Sequence, residues 1–257
     1  MTEPANSWLA ARETVDRRCR SAELAMQFAA MATADVQMVD LGCGTGANYR
    51  YLAPRMKPDV TWLAIDHDAE ILESASRSLP TESVQIQRRD LASDFSVFSE
   101  CPTSAFTASA FLDLVSEAWI RRFVDFVHDR PLLIAMTSTG LPIWDPVDEW
   151  DSVINECLER HQRSDHGFGN ALGPDAVACL AEQLVGKGSD PKLRSTDWKL
   201  SADDTPLMKM LIAGIARRVR CDPGSVAIDE WEERRFEQLD RAELQLTWPH
   251  QDLLSVP

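Results

Sequence analysis

The sequence predicts an α/β fold, in which a parallel β-sheet is covered by helices on both faces. Between residues 35 and 140, short apolar runs alternate about five times with amphipathic stretches, the pattern of strand–helix–strand units. Most of the apolar runs are continuous rather than alternating, as in strands that are buried on both faces. Hydrophobic residues make up 44% of the chain and charged residues 26%, which excludes disordered, collagenous and coiled-coil proteins.

The individual elements of the first half follow from the period of the apolar positions. A helix, not necessarily unbroken, is predicted over about residues 7–32. Strands are predicted over residues 36–42, 60–66, 84–90, 106–111 and 131–140. The intervening helices are predicted over residues 47–52, 69–79 and 112–129, and the apolar positions of the last share one helical face.

The pattern changes after Gly140. An amphipathic helix follows a segment with two prolines and two tryptophans, and a glycine-rich loop occupies residues 164–173. Further helices are predicted over residues 174–188, 204–220 and about 225–240. Two more strands are predicted over residues 193–200 and 243–256.

Charge and composition exclude several classes of function. The formal charge is −15, so the chain repels phosphate backbones and we expect neither nucleic acid nor an anionic membrane as partner. The six cysteines form no C-x-x-C pair, and we expect no metal site. No apolar run approaches the ~20 residues of a spanning helix, and the first residues lack a signal-peptide pattern. These features predict a reduced, cytoplasmic protein.

A glycine-rich turn after the first strand carries the chemistry. Residues 39–46 contain Gly42, Gly44 and Gly46, and glycine is needed where a ligand touches the main chain. Asp66 ends the next strand, 20 residues after Gly46, where a carboxylate can accept hydrogen bonds from both ribose hydroxyls of a nucleoside. Because Gly42-x-Gly44-x-x-Ala47 also fits the dinucleotide fingerprint, the glycines alone leave a nicotinamide cofactor open.

Acidic residues near this turn discriminate between the two ligands. Asp40 stands two residues before the first glycine, where it would meet an amino group rather than a phosphate. Asp90 ends the third strand and could accept a hydrogen bond from an adenine amino group. With Asp66 and Asp68, these acids disfavour an anion and favour a sulfonium cation that carries an α-amino group.

The segment Asp40-Leu41-Gly42-Cys43-Gly44-Thr45-Gly46, with Asp66 and Asp90-Leu91, resembles the motifs of the class I S-adenosylmethionine-dependent methyltransferases. The resemblance implies a Rossmann-like, seven-stranded, mostly parallel sheet whose last strand, over residues 243–254, is antiparallel. It also implies S-adenosyl-L-methionine as cofactor. It predicts one domain over residues 1–257, with a helical cap (1–34), a cofactor-binding core (35–140), an inserted acceptor-side segment (141–171) and a C-terminal part (172–257).

The resemblance also assigns roles within the cofactor site. Gly42, Gly44 and Gly46 would line the methionine part, with Cys43 filling a small space in the same turn. Asp40 would meet the amino group and Asp66 would hold the ribose. The other residues that we expect at the cofactor are Asp90, Leu91 and His67 near the adenine, Ser109 and Ala110 near the methyl group, and Arg20 at the carboxylate.

The fourth strand departs from one branch of this family. Residues 107–113 lack the Asn/Asp-Pro-Pro-Tyr/Phe motif of enzymes that methylate amino groups of nucleic-acid bases. We therefore expect a small-molecule acceptor that is methylated on oxygen, nitrogen, carbon or sulfur. Transfer by in-line displacement depends mainly on alignment, and a general base is needed only if the acceptor arrives protonated.

Five residues are candidates for the acceptor side. His166 lies between glycines and is a candidate base, although a surface loop would also explain it. Asp113 and Glu117 are one helical turn apart and could face the acceptor, or Asp113 could serve the helix N-terminus. Trp144 and Phe168 could form an aromatic wall, or could simply pack in the core.

The sequence therefore predicts methyl transfer to a small molecule by a monomer or homodimer. The alternatives are a nicotinamide-dependent oxidoreductase and a non-catalytic, regulatory S-adenosylmethionine-binding protein. A methyltransferase acting on protein or tRNA is a further alternative, and the negative charge disfavours tRNA.

Overall fold

The apolar runs of the sequence form the strands of the computed structural model, which describes residues 5–33, 35–100, 104–220 and 228–257. The α-helices of these residues are α1 (Ala5–Cys19), α2 (Ala22–Ala29), α3 (Ala47–Leu52), α4 (Ala69–Ser78), α5 (Ser96–Glu100), α6 (Glu117–Val127), α7 (Asp151–Gln162), α8 (Ala176–Gly186), α9 (Thr205–Arg220) and α10 (Ile228–Asp240). The β-strands are β1 (Gln37–Leu41), β2 (Trp62–Asp66), β3 (Val84–Arg88), β4 (Ser104–Ser109), β5 (Leu132–Ser138), β6 (Ile143–Asp145), β7 (Lys192–Ser195), β8 (Trp198–Leu200), β9 (Gln245–Trp248) and β10 (His250–Ser255). None of these helices is long and apolar enough to span a bilayer.

The main sheet has seven strands in the order β3-β2-β1-β4-β5-β10-β7. Strands β1 to β5 are parallel, whereas β10 runs antiparallel to both β5 and β7. This arrangement confirms the predicted α/β sheet with an antiparallel last strand. The chain reverses its direction of sheet growth between β1 and β4, and ligands bind at such a switch point, beyond the carboxyl ends of the strands.

Helices cover both faces of the sheet because the side chains of each strand alternate between the faces. Val39 and Leu41 of β1 belong to a buried cluster that includes residues of α6 and α8. Met38 belongs to a second cluster that includes residues of α2 and α4. A continuous apolar strand thus provides a core on each side of the sheet.

The C-terminal run over residues 243–256 forms two strands rather than the single predicted one. Proline has no backbone N–H to donate to a ladder, and Pro249 separates β9 from β10. Strand β9 pairs with β6 and β8 in a second, antiparallel sheet, while β10 enters the main sheet. The predicted strand over residues 193–200 is divided in the same way, because Asp197 follows β7 and accepts a hydrogen bond from the His250 amide.

Two predicted helices are also shorter than expected. The N-terminal helix breaks before α2, where the Ser21 hydroxyl caps the new helix and the Ser21 amide donates to Asp252. The helix expected over 112–129 begins at Glu117, because the Ser116 hydroxyl accepts from the Trp119 amide and so marks the N-cap. Residues 221–227, where the last helix was expected to begin, lie outside the described residues.

A buried ion pair joins the inserted segment to the C-terminal helix. Arg235 of α10 is fully buried, and its Nη2 donates to both carboxylate oxygens of Asp151 at 2.5 Å. The same carboxylate accepts from the Trp231 indole, and Nη1 of Arg235 donates to the Pro146 carbonyl. The pair is thus well hydrogen-bonded, which is the condition under which buried charges are tolerated.

We expect Asp151→Ala to lower the free energy of unfolding by about 3–5 kcal/mol, because it leaves the Arg235 charge buried without a partner. Urea denaturation measures this loss. Glu230→Ala removes an exposed acid near Arg234 on the same helix and should cost less than about 1 kcal/mol. Equal losses in the two variants would contradict the structural importance of the buried pair.

Candidate functional site

The turn after β1 places three glycines at the amino end of α3. Gly42, Gly44 and Gly46 have φ angles of 65°, 54° and 87°, in the left-handed region that favours glycine. A Cβ atom would lie 2.7 Å from the Phe111 ring at Gly42 and 2.7 Å from Leu79 at Gly46, whereas at Gly44 its nearest neighbour would be 3.8 Å away. Packing therefore also requires Gly42 and Gly46, and Gly44 is the open side of the turn.

Asp66 connects the end of β2 to this turn. Its Oδ2 accepts a hydrogen bond from the Gly44 amide at 3.0 Å, and its Oδ1 accepts from the Asp68 amide at 3.0 Å. The exposed His67 ring lies 3.4 Å from the same carboxylate. Each carboxylate oxygen has two acceptor sites, so Asp66 can still accept from ribose hydroxyls while it holds the turn.

Asp40 is a buried carboxylate with one unsatisfied oxygen. Its Oδ1 accepts from the Asn48 amide at 2.7 Å, whereas Oδ2 has no hydrogen-bond partner. Burial raises the pKa of Asp40 to about 7, and Arg20 and Asn48 only partly offset this. An ammonium group would supply the missing donor and favour the ionised form, so this carboxyl fits the amino group of S-adenosylmethionine.

Cys43 is buried within the same turn. Burial raises the pKa of its thiol, and the nearby Asp40 and Asp66 carboxylates raise it further. The group therefore stays a thiol at neutral pH and fills space rather than acting as a nucleophile.

The residues predicted to meet the adenine have structural contacts of their own. Asp90 is exposed and accepts hydrogen bonds from the Ala92 amide and the Ser93 hydroxyl. Leu91 is buried, and its carbonyl accepts from the Trp119 indole at 2.7 Å. These contacts fix the loop after β3 against α6, and contact with a nucleobase stays a prediction for both residues.

The end of β4 lies next to the glycine turn. Ala110 has a φ of 53°, unusual for a residue with a side chain, and its amide donates to the Ala135 carbonyl at 2.9 Å. Ser109 borders a small cavity together with Gly42 and Gly44. The structure thus brings the ends of β1 and β4 together, as predicted for the site of the reactive methyl group.

Helix α1 lies over this small cavity, whose volume is about 60 Å³. Leu9 and Glu13 of α1 line it, and Glu13 forms a 2.5 Å ion pair with Arg50 of α3. Ordinary ligand pockets measure roughly 300–1,000 Å³. Helix α1 therefore covers the space beside Gly44, which is smaller than a nucleoside.

Arg20 lies just behind this cavity. The guanidinium is buried 4.2 Å over the Tyr51 ring, and its Nη2 has no hydrogen-bond partner. Burial lowers the pKa of Arg20, and the Asp252 carboxylate opposes this shift. Arg20 and Ser109 line a second small cavity, so the predicted contact with a cofactor carboxylate is sterically reasonable and stays a prediction.

A much larger cavity of about 370 Å³ adjoins the turn. Arg12 of α1 lines both this cavity and the small one beside Gly44. Its walls come from α1, β5, α7, β8, α9 and the junction of β9 and β10. The lining residues are Trp8, Arg12, Asp113, Met136, Ser138, Leu158, His161, Gln162, Trp198, Met210, Leu211, Gly214, Ile215, Arg217, Arg218, Trp248 and His250.

Of the two predicted carboxylates, the structure places only Asp113 at this cavity. Asp113 lies in a short turn after β4, its Oδ1 is buried without a hydrogen bond, and burial raises its pKa. Glu117 is exposed and forms a 2.5 Å ion pair with Arg121. The prediction that the two share one helical face is wrong, because Ser116 starts α6 between them.

His166 does not line the cavity. Its Nε2 lies 3.2 Å from the carbonyl oxygen of His161, which does line it. The Asp165 carboxylate accepts hydrogen bonds from the amides of Gly167 and Gly169, so the glycines serve a loop that closes on itself. These hydrogen bonds explain the glycines without a ligand, and a catalytic role of His166 stays a prediction.

The predicted aromatic wall is also wrong in its members. Trp144 is buried 5.8 Å from the Trp231 ring, because β6 directs it into the core beneath α10. Phe168 packs edge-on against Phe111 and Trp119. The tryptophans that line the cavity are instead Trp8, Trp198 and Trp248.

His250 is a cavity residue that the sequence reading missed. Its Nδ1 lies 2.8 Å from the Trp248 carbonyl, which fixes Nδ1 as the N–H of the ring. Its Nε2 makes no hydrogen bond within the described ranges and is therefore a free acceptor. Burial lowers the pKa of His250 to about 4, so the ring is neutral at pH 7. The sequence signal for this position was Pro249. A proline cannot donate a backbone hydrogen bond within a strand, so His250 begins a new strand at this edge of the sheet.

Comparison with known proteins identifies the domain that carries this turn. Residues 38–129 match the family model described as "Methyltransferase domain", which spans the glycine turn, Asp66 and α6. The chain is a methyltransferase, and its motifs are similar to those of the class I S-adenosylmethionine-dependent enzymes. Its methyl donor is S-adenosylmethionine, which sets aside the nicotinamide alternative. A search of curated proteins finds no match to this methyltransferase.

One solved structure agrees with this methyltransferase in fold, and a second aligns less closely. A protein of Bacillus halodurans assigned to the methyltransferases aligns over 91% of this chain and 97% of its own, with 12% identity and a TM-score of 0.51. A cyclopropane synthase of Mycobacterium tuberculosis aligns over 91% of this chain and 82% of its own, with 13% identity and a TM-score of 0.49. At this identity the likeness shows the fold alone.

The raised pKa of Asp40 predicts that cofactor affinity depends on pH. Only the ionised carboxylate attracts an ammonium group, and it is lost as the pH falls through about 7. We therefore expect the Kd for S-adenosylhomocysteine to rise by up to about tenfold per pH unit below pH 7. Calorimetry between pH 6 and 8 measures this. Asp40→Asn should remove the slope, and a slope that persists in this variant would assign the titration to another group.

Proposed function

We propose that this methyltransferase acts on a small molecule bound in the 370 Å³ cavity. The observation that carries the proposal is the position of Arg12, which lines both this cavity and the one beside Gly44. The volume lies within the range of small-molecule pockets. The acceptor in the large cavity and the methyl donor beside Gly44 would therefore lie on opposite sides of the Arg12 side chain, near the switch point of the sheet.

The charge of the chain supports a small acceptor over a nucleic acid. The net charge of −15 repels a phosphate backbone. The cavity is enclosed by α1, α7 and α9, so it suits a molecule that enters whole rather than one presented on a long polymer.

The residues of the site would act by binding and orientation. S-adenosylmethionine, when bound, supplies a methyl group already activated by its sulfonium. Asp40 and Asp66 would hold its amino and ribose groups, and α1 would exclude water above the glycine turn. His250 Nε2 can accept a hydrogen bond from an O–H or N–H group of the acceptor and so orient it toward the methyl group.

We expect Asp66→Ala to weaken S-adenosylhomocysteine binding by roughly 10- to 100-fold. Hydrogen bonds to a charged group contribute about 1.5–3 kcal/mol, and every 1.4 kcal/mol is tenfold in affinity. Calorimetry measures the change, with Glu73→Ala on the exposed face of α4 as the matched control. Unchanged affinity in Asp66→Ala would contradict its role at the ribose.

We expect Met210→Trp to abolish methyl transfer while leaving S-adenosylhomocysteine binding intact. The side chain of Met210 lines the large cavity, so an indole there would occupy the acceptor's space. Lys209→Trp places the same group on the exposed neighbour and should preserve turnover. The assay follows labelled methyl incorporation into a metabolite extract. If the wild type binds S-adenosylhomocysteine but no label is incorporated, the result would contradict the proposed reaction and support a non-catalytic, regulatory protein.

A further inference from the structure

We propose that the methyl acceptor is an anion with a flat apolar body, held with its negative group at Arg218 and its O–H or N–H group at His250. This inference rests on the proposed function, because it takes the large cavity as the acceptor site. Three independent features of the cavity support it: the aromatic walls, the cations at its mouth and the free acceptor at its inner end.

The walls suit a planar apolar molecule. The rings of Trp8 and Trp198 lie 6.4 Å apart, and those of Trp198 and Trp248 lie 6.3 Å apart. Aliphatic side chains of Leu158 and Ile215 face the same space. Tryptophan surfaces of this kind favour flat rings through stacked or edge-on contacts.

The mouth of the cavity carries an arginine, Arg218, that has no carboxylate within ion-pair distance in the described part of the chain. Arg218 follows Arg217 on α9 and is exposed as a whole residue, and its side chain lines the cavity. Arg218 Nε donates to His161 Nε2 at 3.2 Å, which requires a neutral imidazole. Desolvation of the part of Arg218 that lines the cavity, together with the neighbouring Arg217 charge, lowers the pKa of Arg218.

The other charged groups of the cavity do not fill this role. Arg12 is neutralised by Asp16 through a 2.8 Å ion pair. Asp113 is the one acid among the lining residues, and burial raises its pKa toward the uncharged form. Arg218 is thus a cavity cation without a paired carboxylate among the described residues, in a chain with an excess of acids, and it favours an anionic ligand.

The inner end offers a hydrogen-bond acceptor. His250 is only 5% exposed, and its ring packs 5.0 Å from the Trp198 ring. Because its Nδ1–H is donated to a carbonyl, the lone pair of Nε2 is available to an O–H or N–H group of the acceptor. In the reaction, the acceptor heteroatom would form a bond to the methyl carbon as the sulfur–carbon bond breaks, its proton would pass to solvent, and the hydrogen bond to His250 Nε2 would hold the heteroatom in line.

Three matched probes test the charge preference: 4-hydroxycinnamate, its neutral amide, and the cation tyramine. Their Kd values are measured by quenching of tryptophan fluorescence in the presence of saturating S-adenosylhomocysteine. We expect the carboxylate to bind at least tenfold more tightly than the amide, and tyramine to bind most weakly. Arg218→Gln should remove this preference, while Arg220→Gln, which alters an arginine paired with Asp229 on the outside of α9, should keep it.

A fourth probe, 4-methoxycinnamate, tests the inner end because it lacks the O–H group. We expect it to bind about tenfold more weakly than 4-hydroxycinnamate in the wild type and equally in His250→Phe, which keeps the ring packing. His128→Phe, at the end of α6, is the control and should preserve the difference.

The outcomes separate the inference from the function on which it rests. Equal affinities for the charged and neutral probes, or no binding of any probe, would overturn the anionic acceptor while S-adenosylhomocysteine still binds. Failure to bind S-adenosylhomocysteine at all would instead overturn the proposed function.

Discussion

The hydrogen bond from the Gly44 amide to Asp66 is the contact on which the site depends. It ties the turn after β1 to the end of β2, and the glycine conformations keep the open side of that turn free of side chains. The same carboxylate is the predicted acceptor of the ribose hydroxyls. Turn geometry and the predicted cofactor recognition therefore depend on one side chain, which would explain why the signature is so compact in the sequence.

Two cores with different origins meet at this edge of the sheet. The first comes from the alternating strands and helices up to β5, and it positions the glycine turn. The second comes from the small antiparallel sheet with α9 and α10, and it forms most of the large cavity. The family model matches only residues 38–129, within the first of these parts. The glycine turn thus lies in the matched part of the chain, whereas nearly all residues of the proposed acceptor cavity lie outside it.

The sequence predicted those parts of the fold and site that depend on residues close together in the chain. The period of the apolar runs and the glycine–aspartate spacing predicted the sheet and the turn, because both depend on neighbouring residues. The acceptor side depended on long-range packing: Trp144 and Trp248 are equivalent as residue types, and only the pairing of β6 with β9 decides which one faces the core. The glycines beside His166 have a local explanation, because their amides bond to Asp165, and His250 was missed because Pro249 was taken into a continuous strand.

Helix α1 contributes to the walls of both cavities, through Leu9 and Arg12, and it is fastened at one end by Glu13 to Arg50 and at the other by Arg18 to Asp204. Displacement of this helix would therefore open both cavities together, and nucleoside and methylated product would share one exit. Both ion pairs that hold the helix are partly accessible to solvent, so added salt would favour its release.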